Sequence, residues 1–146
     1  MDNRFGTNYE IKVANNFGSI AGRYLGLRRT RVLKAAAVAA DSNLSDLIAN
    51  AEDRGAITAE QANELLAVDL IAVGRSRDNG YDAYVAAEAS ITLGDQDIVR
   101  AAERAEYLAK ATGQAALGAA IGESVGSEQV ELARQRNVTV MLLPAA

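Results

Sequence analysis

Two acidic residues stand in runs that are otherwise apolar. Asp69 lies in Ala67-Val-Asp-Leu-Ile-Ala-Val-Gly74, and Glu88 lies in Tyr84-Val-Ala-Ala-Glu-Ala-Ser-Ile91. Between them runs a polar segment ending in Asn79-Gly80. That pair favours a two-residue type I′ turn, because both central positions need positive φ. A turn there predicts Asp69 opposite Ser90, with Glu88 diagonal to Asp69 on the same face. A slip of one residue would send Glu88 to the other face. The next helix carries Arg100 and Arg104, four residues apart and so on one helical face. The four side chains form either an ion network tying sheet to helix or a site.

The missing residue types narrow the chemistry. The chain of 146 residues has no His and no Cys. Ser-His and Cys-His nucleophiles, disulfides and thiolate metal sites are therefore excluded. Catalysis would run on carboxylates, Lys, Arg, Tyr or a hard oxygen-bound cation. A hydrophobic content of 49% fits a globular chain with one core. The net charge of -4 and pI near 4.9 argue against strong non-specific nucleic-acid binding. The N-terminus lacks a signal-peptide pattern and no run is long enough to span a membrane, so the expectation is a soluble cytoplasmic protein.

The elements that must position these residues follow from periodicity. Residues 1–18, rich in Asn with Gly6 and Gly18, read as an N-terminal arm, with only a weak strand or helix signal at Tyr9, Ile11, Val13 and Phe17. Leu25, Leu27, Val32, Leu33, Ala36, Ala37 and Ala40 predict a helix from Ile20 onward. Arg28, Arg29, Arg31 and Lys34 form a basic knot beside it. It reads either as a solvated face or as a phosphate-contacting patch. Leu44, Leu47, Ile48 and Ala51 predict a second helix ended by Gly55, and Thr58 with Gln61 matches a capping box opening a third.

After the hairpin, a helix is expected over 96–112, stopped by Gly113. A small-residue strand over 115–121, a helix capped by Ser127 and a strand over 138–143 complete the chain. Leu70, Ala72, Val85, Ala87, Ala89 and Ile91 are expected on one face of the hairpin, with Ile71 and Val73 on the acidic face. Both faces being apolar points to a sheet covered on both sides. Asp78-Asn79-Gly80 lacks the ligands of a calcium loop, and Gly118-Ala-Ala-Ile-Gly122 lacks the ending of a phosphate loop.

A leading helix, a strand pair, then helix and strand, with Asp69 on one strand and Glu88-Ala-Ser90 on the next, resembles the core of the PD-(D/E)XK nuclease superfamily. Its motif is an Asp near one strand and Asp/Glu-x-Lys on the next. The text Val-Asp-Leu-Ile-Ala-Val-Gly, Ala-Glu-Ala-Ser and Gln-Asp-Ile-Val-Arg-Ala-Ala-Glu-Arg-Ala-Glu-Tyr-Leu is similar to uncharacterised bacterial members, over residues 18–143.

The resemblance implies a single α/β domain over 1–146 with a restriction-endonuclease-like core: a mixed sheet of about four strands flanked by helices, behind a helical N-terminal half. It implies Asp69 and Glu88 as ligands of Mg²⁺ and nucleic acid as substrate; the polar N-terminal arm and the alanine-rich helices suggest a homodimer, the assembly that restriction-type nucleases use. Ser90 stands at the lysine position, so Arg100, Arg104 or Lys110 would bring the positive charge. The acid that the superfamily often carries on its first helix has no counterpart around residues 22–28. The expected catalytic set is Asp69, Glu88, Arg100 and Arg104. Two other functions remain open: a catalytically silent nuclease-fold homodimer serving assembly or regulation, and a small-molecule binder with a pocket between helices and sheet.

Overall fold

The computed structural model describes residues 3–36 and 38–144. In chain order the elements are α1 (Asn3–Leu25), β1 (Leu27–Ala35), α2 (Ser42–Asp53), α3 (Ala59–Ala67), β2 (Leu70–Ser76) and β3 (Asp82–Ala89), then β4 (Thr92–Leu93), α4 (Asp95–Thr112), β5 (Ala116–Gly122), β6 (Ser124–Val125), α5 (Ser127–Arg136) and β7 (Val138–Leu142). The fold is α/β, with a mixed five-stranded sheet in the order β1-β2-β3-β5-β7. β1, β2 and β3 pair antiparallel, whereas β3, β5 and β7 pair parallel. β4 and β6 form a separate two-stranded parallel sheet. Among the described residues no helix is long and apolar enough to cross a membrane.

Helices cover both faces, as the doubly apolar hairpin predicts. On one face α1 lays Tyr9, Val13, Phe17, Ile20 and Ala21 against Leu70, Ala72, Val85, Ala87, Ala119, Ile121 and Met141. On the other, α2, α3 and α4 pack Leu44, Ile48, Leu65 and Leu108 against Ile71 and Ala86. α4 and α5 pack Ile98, Ala101 and Ala133 against Ala120 and Val138. The alanine bias has a purpose here. A Cβ on Gly118 would come within 3.0 Å of the Ala101 carbonyl oxygen, so β5 and α4 approach as closely as backbones allow.

The N-terminal third departs from the sequence expectation. The expected arm is α1, whose buried residues repeat at helical spacing despite its glycines and asparagines. Burial against the sheet overrides weak propensity. The helix expected from Ile20 ends at Leu25, because Gly26 turns left-handed at φ 64 and the chain leaves as β1. Thr30 and Val32 suit a strand, and pairing with β2 settles the choice. The N-terminal half is therefore helix and strand, and the sheet has five strands rather than about four. Residues 1–2 of the expected arm, and Ala37 of the expected helix, lie outside the described residues.

The later elements match expectation closely. Thr58 and Gln61 make their capping box, and Gly113 ends α4 left-handed at φ 70. α5 differs in its cap, which is Gly126 rather than Ser127.

Candidate functional site

The hairpin register differs from expectation by two residues. Leu70 faces Ala87 and Ile71 faces Ala86. The loop closes through Ser76 N donating to Tyr81 O at 2.8 Å and Gly80 N donating to Ser76 O at 2.9 Å. Asn79 accepts the Tyr81 N–H on its side chain at 2.9 Å instead of taking a left-handed backbone, so the turn is longer than type I′. An even slip preserves the faces. Extending the register by one pair sets Glu88 directly opposite Asp69, and Ser90 moves beyond the site, where its hydroxyl donates to Thr92 O at 3.0 Å.

Asp69 and Glu88 clasp each other through the main chain. Asp69 N donates to Glu88 Oε2 at 3.1 Å, and Ala89 N donates to Asp69 Oδ2 at 2.9 Å. Glu88 is only 3% exposed. Its other oxygen accepts from Arg104 Nη1 at 2.6 Å. Arg104 lies on the α4 face carrying Ala101, Ala105 and Leu108, and is 8% exposed. Its Nε and Nη2 reach Glu64 Oε2 of α3 at 3.0 and 2.9 Å. A buried carboxylate, a buried guanidinium and an exposed carboxylate thus form a line from the sheet to solvent. Burial works against the Arg104 charge, but Glu88 and Glu64 hold its pKa above the ordinary value.

Two further groups complete the cluster. Glu10, on the sheet-facing side of α1 beside Tyr9, has its carboxyl in hydrogen-bond reach of Asp69. Burial first, then the Asp69 charge and that hydrogen bond, raise the Glu10 pKa to about 7. Burial and Asp69 likewise raise Glu88 to about 7, against the pull of the Asp69 N–H and Arg104. Lys34 of β1 donates from Nζ to the Val68 carbonyl. Burial lowers its pKa, while Asp69, Glu88 and Glu10 act in the opposite sense. Carboxyls from α1, β3 and the entry to β2 therefore share one neighbourhood with an ammonium from β1, and Glu88 pairs with a guanidinium from α4. Such a cluster can hold and exchange a proton near neutrality.

Of the sequence-derived residues, Asp69, Glu88 and Arg104 come together. Arg100 does not join them; it is exposed, with Nη2 donating to Gln96 Oε1 at 3.3 Å. Lys110 pairs with Glu106 at 3.3 Å on the surface. Sequence spacing does not bring Glu10 to the cluster, because it lies in the expected arm, and it places Lys34 in the basic knot of an expected helix instead of beside Asp69 and Glu88. The signal for Glu10 was its place between Tyr9 and Val13, two residues that share a helical face. Among the described residues, no three or more Asp or Glu side chains converge as a metal cage would require.

A cavity of about 670 Å³ lies at the other end of the sheet, lined by Leu25, Leu27, Tyr81, Ala83, Gln114 and Leu117 among others. It touches none of the carboxylates described above. Comparison of the chain with protein-family models, with curated proteins and with solved structures finds no match.

Proposed function

We infer that the chain is a PD-(D/E)XK nuclease-like domain whose carboxylate cluster serves metal-dependent hydrolysis of nucleic-acid phosphodiesters. The observation that carries this reading is the pairing of Asp69 and Glu88 at one end of the sheet, through Asp69 N–H and Ala89 N–H at 3.1 and 2.9 Å, with the charges of Glu10 and Lys34 nearby. Glu10 supplies an acid from the first helix, the feature the sequence lacked around residues 22–28. Lys34 supplies an ammonium where Ser90 has none. The mixed sheet, with its leading helix, hairpin and following helix and strand, agrees with the element order of that superfamily.

Glu10, Asp69 and Glu88 suit a hard cation in chemistry, being carboxylates, although among the described residues they are not grouped as a preformed cage. Asp69 and Glu10 would hold it, since Glu10 keeps near neutrality a proton that a cation would displace. Glu88 is held by Arg104 and would contribute only by releasing it. A bound Mg²⁺ would supply an activated water and shield the phosphate. Lys34 would stabilise negative charge developing on the phosphate oxygens.

Calorimetric titration with Mn²⁺ at pH 7.5, beside cleavage of labelled single- and double-stranded DNA and RNA, tests the reading. Asp69→Ala should abolish metal binding and cleavage, while Lys34→Ala should keep the metal and lose turnover. Absence of Mn²⁺ binding, or binding unchanged in Asp69→Ala, would sink it.

One observation favours a second reading. The buried 2.6 Å contact between Arg104 and Glu88 neutralises a motif carboxylate with a built-in cation. On that reading the domain is catalytically silent and acts as a homodimeric assembly or regulatory module. Sedimentation showing a dimer, with no turnover at any metal concentration, would select it.

A further inference from the structure

The far end of the same sheet carries a concentration of positive charge that the carboxylate cluster does not explain. Arg23 near the end of α1, Arg28, Arg29 and Arg31 of β1, and Arg75 and Arg77 at the close of β2 are all exposed. Arg75 lies six residues along from Asp69, about 20 Å at the usual rise of a strand. Among the described residues one acid pairs with any of the six: Asp82, 3.8 Å from Arg75. Arg23, Arg28, Arg29 and Arg77 line a shallow groove of about 590 Å³, beside Gly18, Ser19 and Gly22 of α1.

Three local costs meet at this groove. Arg28 is the direct cross-strand partner of Arg75, a like-charge pairing that destabilises a sheet. Arg29 takes φ 53, a left-handed conformation that a long side chain rarely adopts. The Thr30 hydroxyl is buried without a hydrogen-bond partner. All three lie in or beside the bulge where β1 shifts register between Arg28 and Arg31. Bulges commonly re-aim side chains at functional edges. Stability alone would remove each feature, and in a chain of net charge -4 there is no general excess of cations to explain them. Where several local rules fail together without a gain in packing, function is the reason to look for.

We propose that this arginine groove is a docking surface for the phosphate backbone of double-stranded nucleic acid. Every charge in it is a guanidinium, whose planar fork matches phosphate oxygens in a bidentate way. The charges border two adjoining hollows, one lined by Arg23, Arg28, Arg29 and Arg77 and the other by Arg29, Arg31 and Arg75, which suits a row of phosphates better than a single phosphorylated side chain. The surface is concave, which a bilayer cannot follow. Docking here needs neither metal nor the carboxylates, so it stands or falls apart from the hydrolytic reading.

Fluorescence anisotropy with a labelled 20-base-pair duplex, in EDTA and at several salt concentrations, is the test. The wild type should bind with affinity that falls steeply with salt. Arg28→Ala/Arg29→Ala/Arg31→Ala should weaken binding at least tenfold and reduce the salt slope by about 2 to 3, at roughly 0.9 per phosphate contact. Arg134→Ala, which removes an exposed cation of α5 outside the groove, should bind as the wild type does. Arg29→Gly separates docking from folding: it removes the left-handed strain, so the melting temperature should hold or rise while affinity falls. No binding at 50 mM salt, full binding by the triple variant, or tighter binding to phosphatidylserine vesicles than to duplex would each overturn the proposal.

Discussion

At the end of the sheet where β2 begins, Glu10, Asp69, Glu88, Lys34 and Arg104 are hydrogen-bonded to one another or to the main chain, and Glu88 and Arg104 are almost wholly buried. At the end where β2 closes into the hairpin, six arginines stand in solvent, and among the described residues Asp82 alone pairs with one of them. The same strand thus runs from charges that the fold has enclosed to charges that it has left outside. Enclosed charges are held in place by each other, so removing one strands its partner in a poor solvent. Exposed like charges only repel, so removing one relieves the rest. The two ends should therefore answer substitution with opposite signs.

The largest effect belongs to Arg104. Arg104→Ala leaves the Glu88 carboxylate buried without its cation and should cost about 3–5 kcal/mol, the usual penalty for breaking one side of a buried pair. Urea denaturation reads it directly. Replacing both members, as Glu88→Met/Arg104→Met, should recover most of that loss, because the cost lies in the stranded charge. If the single variant lost less than about 1 kcal/mol, by the same reasoning the enclosed end would be no different from a surface pair.

Tyr9→Phe comes next and tests how Glu10 is delivered. The Tyr9 hydroxyl donates to the Leu143 carbonyl at 2.7 Å, tying α1 to the chain just after the edge strand β7. Its loss should cost about 1 kcal/mol. Since Glu10 is the adjacent residue, the Glu10 titration followed by NMR should move with it. No change in either would mean that α1 is not fixed by this contact.

How far the sequence foretold the two ends depended on which signals were local. Asp69 and Glu88 were visible because an acid in an apolar strand is conspicuous, and an even slip in the turn left their shared face intact. The hydrophobic faces of β2 and β3 followed from alternation, and α3 and α4 from their caps. The place of Glu10 and Lys34 beside them was hidden because their elements were misassigned. Asparagine and glycine lower helix propensity in α1, and only burial against the sheet restores it. In β1, apolar residues at bulged positions imitate a helical repeat, so no count of spacings separates the two. The basic knot was seen, but on the wrong element. Its relation to Arg75 and Arg77 depends on β1 pairing with β2, which is a long-range fact.

Glu10→Gln gives a smaller, pH-dependent effect. The Glu10 pKa is raised in the folded state to about 7, so folding binds a proton that the unfolded chain releases near 4.5. The native state therefore holds more of this proton between those values, and stability falls as pH rises from about 4.5 to 7. Above about 7 the loss is complete. Because Glu10 is only partly buried, screening keeps the amount below roughly 1 kcal/mol. Thermal melts of Glu10→Gln against the wild type from pH 4.5 to 8.5 should converge at the acid end and favour the variant at the alkaline end. A difference of the opposite sign would remove the shared proton between Glu10 and Asp69.

The smallest effect sits at the exposed end and should carry the other sign. Arg28 and Arg75 face each other across β1 and β2, and Asp82 offsets only part of that charge from 3.8 Å. Arg28→Gln keeps a long side chain on the strand and removes one member of the repelling pair. It should stabilise the protein by about 0.2–0.5 kcal/mol, within the range of cross-strand pair energies. The gain should be largest at low salt and vanish near 1 M, where charges farther apart than about 3 Å no longer sense each other. A loss of stability, or a gain indifferent to salt, would mean that Arg28 makes contacts its exposure conceals. The opposed signs expected for Arg104 and Arg28 would then not distinguish a charge that the fold requires from one that it merely tolerates.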